Sequence, residues 1–125
     1  METWIKSISM KEMVKRYGVN TAGDYWRPTP DLLNIRVIGL NNSDYEFLIA
    51  IHEMIEEYIC TKRGIKETDI QKFDQQCEDD EPGDNPSAPY HKEHVFAECL
   101  ERLLALELGV NWEEYGNAID KAVEV

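Results

Sequence analysis

All three histidines of this chain fall in two short segments, and each segment also carries glutamates at helical spacing. The first reads His52-Glu53-Met54-Ile55-Glu56-Glu57, and the second reads Tyr90-His91-Lys92-Glu93-His94, followed by Glu98 and Glu101. Side chains four positions apart on a helix point the same way, so His52 and Glu56 can offer two ligands to one cation, and His94 and Glu98 can do the same. Imidazole with carboxylate is a donor set for zinc, and also for manganese or iron. The expected ligands are His52, Glu56, His91, His94 and Glu98 around a divalent ion, zinc first, with manganese, iron or magnesium as other occupants. Glu53, displaced to the side of that pair, is placed to act as a catalytic base on water activated by the ion. A plainer reading competes. His91, His94, Glu98 and Glu101 would form a solvated stripe, in which His94 and Glu98 make an exposed pair contributing about 0.3 kcal/mol.

The elements that position these groups can be read from their caps. Ser43 with Glu46 predicts a helix to about Arg63, closed by Gly64, and Thr68 with Gln71 a shorter one through about Cys77. Ser87 and Pro89 open a third helix to Leu108, stopped at Gly109, and Asn111 with Glu114 a last one through about Val123. On the first long helix Phe47, Leu48, Ile51, Met54, Ile55, Tyr58 and Ile59 share one apolar arc, with His52 and Glu56 on its border. On the third, Val95, Phe96, Cys99, Leu100, Leu103, Leu104 and Leu106 form the arc opposite the histidine stripe.

Ahead of the helices, Trp4 to Ile8 alternates as a short strand would, and Ser9 to Glu12 caps one or two helical turns through Tyr17, ended by Gly18. Gly23 to Trp26 and Leu32 to Ile38 are further strands, joined by Arg27-Pro28-Thr29-Pro30-Asp31, whose prolines forbid helix. The expected architecture is a two-layer α+β fold: a small N-terminal antiparallel sheet or hairpin packed on three to four helices, as a single domain over residues 1–125.

The formal charge of -12 argues against binding to nucleic acid or to an anionic membrane, because both depend on Lys and Arg displacing counterions. Cys60, Cys77 and Cys99 include no Cys-x-x-Cys and suggest neither disulfides nor a thiolate zinc site. The first residues lack the basic and apolar regions of a signal peptide, and no apolar run approaches the roughly 20 residues of a membrane helix, so the cytoplasm is the expected compartment. Trp112 and Tyr115 read as packing anchors for the last helix and Asp74 as a surface or capping group. The loop acids Asp79, Asp80, Glu81 and Asp84 lack EF-hand spacing.

Three resemblances add to this. His52-Glu53-x-x-Glu56 resembles the zincin motif His-Glu-x-x-His with its second histidine replaced, and the strand leading into that helix is similar too. That likeness implies a hydrolase with His52 and Glu56 as ligands, Glu53 as general base and His91 or His94 as third ligand. Glu53, Glu56 and Glu57 with Glu98 and Glu101 also look like the magnesium-binding carboxylates of MazG-type nucleotide pyrophosphohydrolases. The chain as a whole resembles a family of small uncharacterised proteins of bacteriophages and prophages. The runs that carry this are Gly23-Asp24-Tyr25-Trp26, Arg36-Val37, Ile51-His52-Glu53-x-x-Glu56, Phe73-Asp74, Gly83-Asp84-x-Pro86-x-Ala88-Pro89-Tyr90-His91-x-Glu93-His94 and Gly109-Val110-x-Trp112-x-x-Tyr115. This likeness implies a bacterial or phage-infected cell and assigns no activity. The resulting expectation is a phage-type accessory protein with a metal site, acting on a small-molecule or peptide substrate. The competing one is a non-catalytic acidic protein that binds a host or phage protein.

Overall fold

The computed structural model describes residues 1–124, in the order β1 (Glu2–Ile8), α1 (Met10–Tyr17), β2 (Gly23–Thr29), β3 (Leu32–Ile38), α2 (Ser43–Lys62), α3 (Glu67–Gln76), a 3-10 turn (Pro82–Asp84), α4 (His91–Glu107) and α5 (Trp112–Val123). This is an α+β fold. Leu33, Ile35 and Val37 make β3 its most buried strand, and it lies at the centre of a three-stranded sheet of order β1-β3-β2. β2 and β3 form the expected antiparallel hairpin, but β1 runs parallel to β3, so the sheet is mixed and not purely antiparallel. The cause lies in the connection. α1 carries the chain from the end of β1 past the end of β3, with Met13 buried against Ile8 and Ile38, so that β2 returns on the far edge and the hairpin inserts β3 between them. Alternation along a strand fixes which side chains face the core but not which strand lies beside it.

β2 also runs further than its sequence indicated, through Pro28 to Thr29, with a register irregularity between Trp26 and Thr29. A proline has no N–H to give to a ladder, which suits this edge strand and its break. Helix ends follow the caps closely. Ser9 accepts from Glu12 N and Asn111 from Glu114 N, while Gly18, Gly64 and Gly109 take the left-handed conformations that end their helices. Three starts differ: at α2 the cap is Asn42, one residue before Ser43, α3 begins at Glu67 after Lys66 without a side-chain cap, so Thr68 lies inside it, and α4 begins at His91, after the turns formed by Ser87 to Tyr90.

The main core lies between the sheet and α2, where Leu33, Ile35 and Val37 meet Leu48, Ile49 and Ala50, and it continues to Ala105 of α4 and Tyr115 of α5. The two long helices are not oriented as their apolar arcs suggested. On α2 the buried residues include His52, Glu56, Glu57 and Cys60, while Phe47 and Tyr58 of the arc are exposed. On α4 the buried residues are Glu93, His94, Ala97, Glu101 and Ala105, while Val95, Phe96, Cys99, Leu103 and Leu106 face outward. Buried charges persist only where they are paired, and here His52 with Glu101, His94 with Glu56, Arg27 with Glu57 and Arg63 with Glu93 supply that pairing. Among the described residues no helix is long and apolar enough to cross a membrane.

Candidate metal centre

α2 and α4 pack side by side and bring His52, Glu56 and His94 together. His52 Nε2 lies 3.0 Å from Glu56 Oε2, His94 Nδ1 lies 3.0 Å from the same oxygen, and the two ring nitrogens are 3.3 Å apart. A zinc ion with bonds of about 2.0–2.1 Å holds tetrahedral ligand atoms about 3.3–3.4 Å apart. The triangle thus has nearly the dimensions of one face of such a site. Both histidines are 8% exposed, which excludes the solvated-stripe reading for His94.

Each corner is held from behind. His52 Nδ1 faces Glu101 Oε1 at 2.7 Å, and Tyr115 in turn donates to Glu101 Oε2 at 2.5 Å. Tyr25 donates to Glu56 Oε1 at 2.9 Å, and His94 Nε2 faces Asp84 Oδ1 at 3.2 Å. The tautomers follow from these partners. A neutral His52 that donates from Nδ1 to Glu101 presents a lone pair at Nε2, and a neutral His94 that donates from Nε2 to Asp84 presents one at Nδ1. Two nitrogen lone pairs and a carboxylate oxygen then converge with no proton between them, an arrangement that a cation satisfies. These buried side chains lie close enough to hold a metal ion.

Of the other expected ligands, His91 is turned away, its Nδ1 2.9 Å from the carbonyl of Gly83, where it ties α4 to the 3-10 turn. Glu98 belongs to a second, less buried group with Asp84 and His94, in which Asp84 is exposed. Because a neutral imidazole has a single lone pair, His94 cannot serve both groups, and the buried triad is the closer fit. Glu53 lies against Gly23, where a Cβ would stand 2.5 Å from its Oε1, so only glycine leaves room for it. Glu101 entered the sequence reading as a member of the polar stripe and of the MazG-like carboxylates, whereas Tyr115, Tyr25 and Asp84 were not singled out for the site. Only Glu101 carried a signal, because it follows His94 by two helical turns on the same face.

The centre opens into a cleft of about 630 Å³ between the sheet, α2, α4, α5 and the acidic loop. Its walls carry Asp24, Glu53, Asp79, Asp80 and Glu81 among other carboxylates, and no Lys or Arg among the described residues. Asp24 Oδ2 is buried there without a hydrogen bond, 3.6 Å from Arg16 Nε, and burial, only partly offset by Arg16, pushes its carboxyl up to about 6. Burial and the neighbouring charge of Glu56 push Glu53 well above the usual carboxylate range. No protein-family model, curated protein or solved structure matches the chain. What the site can do rests on these residues alone.

Two predictions concern this framework. At Gly83 an added Cβ would stand 2.4 Å from His94 Cγ. Gly83→Ala must displace either the turn or the imidazole. The expected results are a loss of metal affinity of about tenfold or more, from a second-sphere disturbance of this size, and a destabilisation of about 1–3 kcal/mol by overpacking. Calorimetric zinc titration and thermal melts of the variant check both, and parental values in each would show that His94 is not held as described.

The second concerns pH. Burial works against charge on both rings, but bonds to Glu101 and Glu56 hold the His52 imidazolium up to about 11, and bonds to Glu56 raise His94. Burial opposes ionisation of Glu56 too, yet hydrogen bonds from the two histidines bring it to about 2. The raised groups, Asp24, Glu53, His52 and His94, bind protons more tightly when folded. Their contribution is complete at low pH and lost as pH climbs, through about 6 for Asp24 and on toward about 11 for His52. Glu56 acts oppositely, but only below the usual carboxylate range. Metal-free protein should therefore melt at a higher temperature at about pH 5.5 than at about pH 8, whereas the stabilisation by added zinc, which must displace protons, should be greater at about pH 8. Melting curves at the two pH values, with chelator and with zinc, test the crossing, and a metal-free melting point that rises toward pH 8 contradicts it.

Proposed function

We propose that the protein is a zinc-dependent hydrolase of zincin-like layout that acts on a peptide or small amide substrate, with His52, Glu56 and His94 as ligands. The observation that carries this reading is the convergence of two imidazole nitrogens and a carboxylate oxygen at 3.0, 3.0 and 3.3 Å, each fixed by its own outer partner. Two imidazoles favour zinc over magnesium, which prefers oxygen ligands throughout. A bound zinc ion would supply Lewis acidity, polarising a carbonyl and lowering the pKa of water. The chain's own residues supply the rest. Glu53 follows His52 directly and lines the same cleft, and its raised proton affinity suits a group that takes a proton from water and returns it to a leaving amine. Glu101 and Tyr115 keep His52 in the tautomer that binds, and Asp84 does the same for His94.

The nucleotide pyrophosphohydrolase reading has less support. Arg27 engages Glu57 through Nε and a second guanidinium nitrogen, His52 and Tyr115 occupy Glu101, and the cleft walls offer no described Lys or Arg to a polyphosphate. Origin in a phage or its bacterial host belongs to the same proposal and rests on the sequence runs from Gly23 to Tyr115.

Metal analysis is the direct test. Untagged protein purified without chelator should carry about one equivalent of zinc, and zinc-loaded protein should cleave a mixed peptide pool. If the protein carries well under about a tenth of an equivalent of any transition metal and gains no thermal stability from added zinc or manganese, the reading fails and an acidic interaction protein remains.

A further inference from the structure

One carboxylate oxygen at the wall of the cleft is left without a hydrogen-bond partner. Asp24 lines the cleft, is 4% exposed, and its Oδ2 is buried with no donor bonded to it. Arg16 stands beside it but does not close the pair. Its guanidinium lies over the Trp26 ring, 3.7 Å from the centroid, which leaves Nε 3.6 Å from Oδ2, beyond hydrogen-bond range. Arg36 is drawn to the same ring, and neither arginine lines the cleft. Folded proteins satisfy nearly all their buried polar atoms, so an oxygen left over at a cavity wall is a place for a donor from outside.

The rest of the cleft has the same sign. Glu53, Asp80 and Glu81 add carboxylates, and no described Lys or Arg lines the walls to balance them. A cleft of one charge between low-dielectric walls concentrates ligands of the other charge. Asp74 and Glu101 are already engaged, the first by Tyr17 and Tyr90, the second by His52 and Tyr115.

The cation that suits the remaining acids is molecular in size, not a second metal ion. Among the described residues, the two groups whose donor atoms converge both contain His94, and neither includes Asp24, Glu53 or Glu81. A hard ion would need about six to eight oxygens gathered at about 2.3–2.6 Å. Carboxylates spread along a wall instead fit an ammonium or guanidinium, which donates several hydrogen bonds from the end of an alkyl stem. Tyr17, Ile49 and Ile70 supply apolar wall for such a stem. Asp24 also lies close to the chemistry. It follows Gly23, whose missing Cβ leaves room for Glu53, and precedes Tyr25, which donates to Glu56.

We infer that Asp24 receives a lysine or arginine side chain of the substrate, so that the enzyme cuts amide bonds next to a basic residue. The position of the cut rests on the hydrolase reading above, whereas the capture of the cation does not involve the metal.

Calorimetric titration of the full chain tests the capture, at about pH 8, where the Asp24 carboxyl is ionised. The probes are Nα-acetyl-lysine amide, Nα-acetyl-arginine amide and the uncharged Nα-acetyl-norleucine amide, each added to chelator-treated and to zinc-loaded protein. The two basic amides should bind at least about tenfold more tightly than the norleucine amide in both states, the worth of one charge-assisted hydrogen bond. Asp24→Asn, which keeps the shape and loses the charge, should remove that preference while retaining the parental circular dichroism and zinc content. Glu113→Gln, on the exposed side of α5, should keep it. The preference of the parent reads the same property without any substitution. In digests of a mixed peptide pool by zinc-loaded protein, cuts beside Lys or Arg should outnumber the rest by about tenfold.

Equal affinity for the lysine and norleucine amides, an undiminished preference in Asp24→Asn, an equal loss in Glu113→Gln, or cleavage indifferent to basic residues would each overturn the inference and leave the hydrolase reading standing. A protein that takes up no zinc and cuts nothing, yet binds the lysine amide through Asp24, would overturn the hydrolase reading and uphold the cation site.

Discussion

His94→Ala is expected to abolish metal retention, whereas His91→Ala should leave it nearly intact, although the two residues stand three apart on one helix. His94 Nδ1 forms one corner of the triangle with Glu56 Oε2 and His52 Nε2, while His91 is spent on the carbonyl of Gly83. If these three groups hold the ion, losing His94 would remove a direct bond to it and leave Glu56 buried with a single imidazole. Losing His91 removes one tie to the 3-10 turn, worth about 0.5–1.5 kcal/mol for a neutral hydrogen bond. The expected contrast in zinc affinity exceeds about a hundredfold, beyond the effect of disturbing an outer partner. Competition with a chromophoric chelator measures it. Equal affinities for the two variants would mean that the buried triangle is not the binding site. Thermal melts give the same answer independently, because an ion bound only to the folded state raises stability by RT ln(1 + c/Kd), where c is the free ion concentration. Added zinc should stabilise His91→Ala and fail to stabilise His94→Ala.

Glu53→Gln separates binding from chemistry. The amide keeps the shape that fills the space at Gly23 but cannot take up a proton, so zinc content should match the parent while peptide cleavage falls about 10²–10⁴-fold, the contribution of a positioned acid–base group. Because the loss lies in the chemical step, it should appear in kcat with little change in KM. Retained cleavage in a zinc-loaded variant would remove Glu53 from the reaction, and lost zinc would place it among the groups that bind. The glutamine should also make the metal-free protein more stable at neutral pH, since burial and Glu56 disfavour the ionised form of Glu53 that the unfolded chain adopts there, and an amide removes that penalty.

Much of this arrangement was legible in the residues, and the part that was not has a physical cause. Cap chemistry is local, so the stops at Gly18, Gly64 and Gly109 and the starts at Ser9 and Asn111 could be read directly. The pairing of His52 and Glu56 with His94 followed from helical spacing and from the clustering of all three histidines. Which face of each long helix turns inward could not be read in the same way. A helix wheel ranks faces by apolar content, and on α4 it pointed to Phe96 and Leu103, whereas the molecule buries His94 and Glu101. The balance is decided by pairs between elements, such as Tyr115 with Glu101 and Arg27 with Glu57, which no single helix reveals. The parallel partner of β3 and the role of Asp84 also depend on chain segments distant in sequence.

Four of the six tyrosines end on carboxylates: Tyr25 on Glu56, Tyr115 on Glu101, and both Tyr17 and Tyr90 on Asp74. Burial first, and then these acids, drive the four phenols upward, away from ionisation. The molecule therefore carries its own optical gauge. In an alkaline titration followed in the ultraviolet, these four chromophores stay silent while their clamps hold, and the late rise in tyrosinate absorbance marks the pH at which the clamps let go.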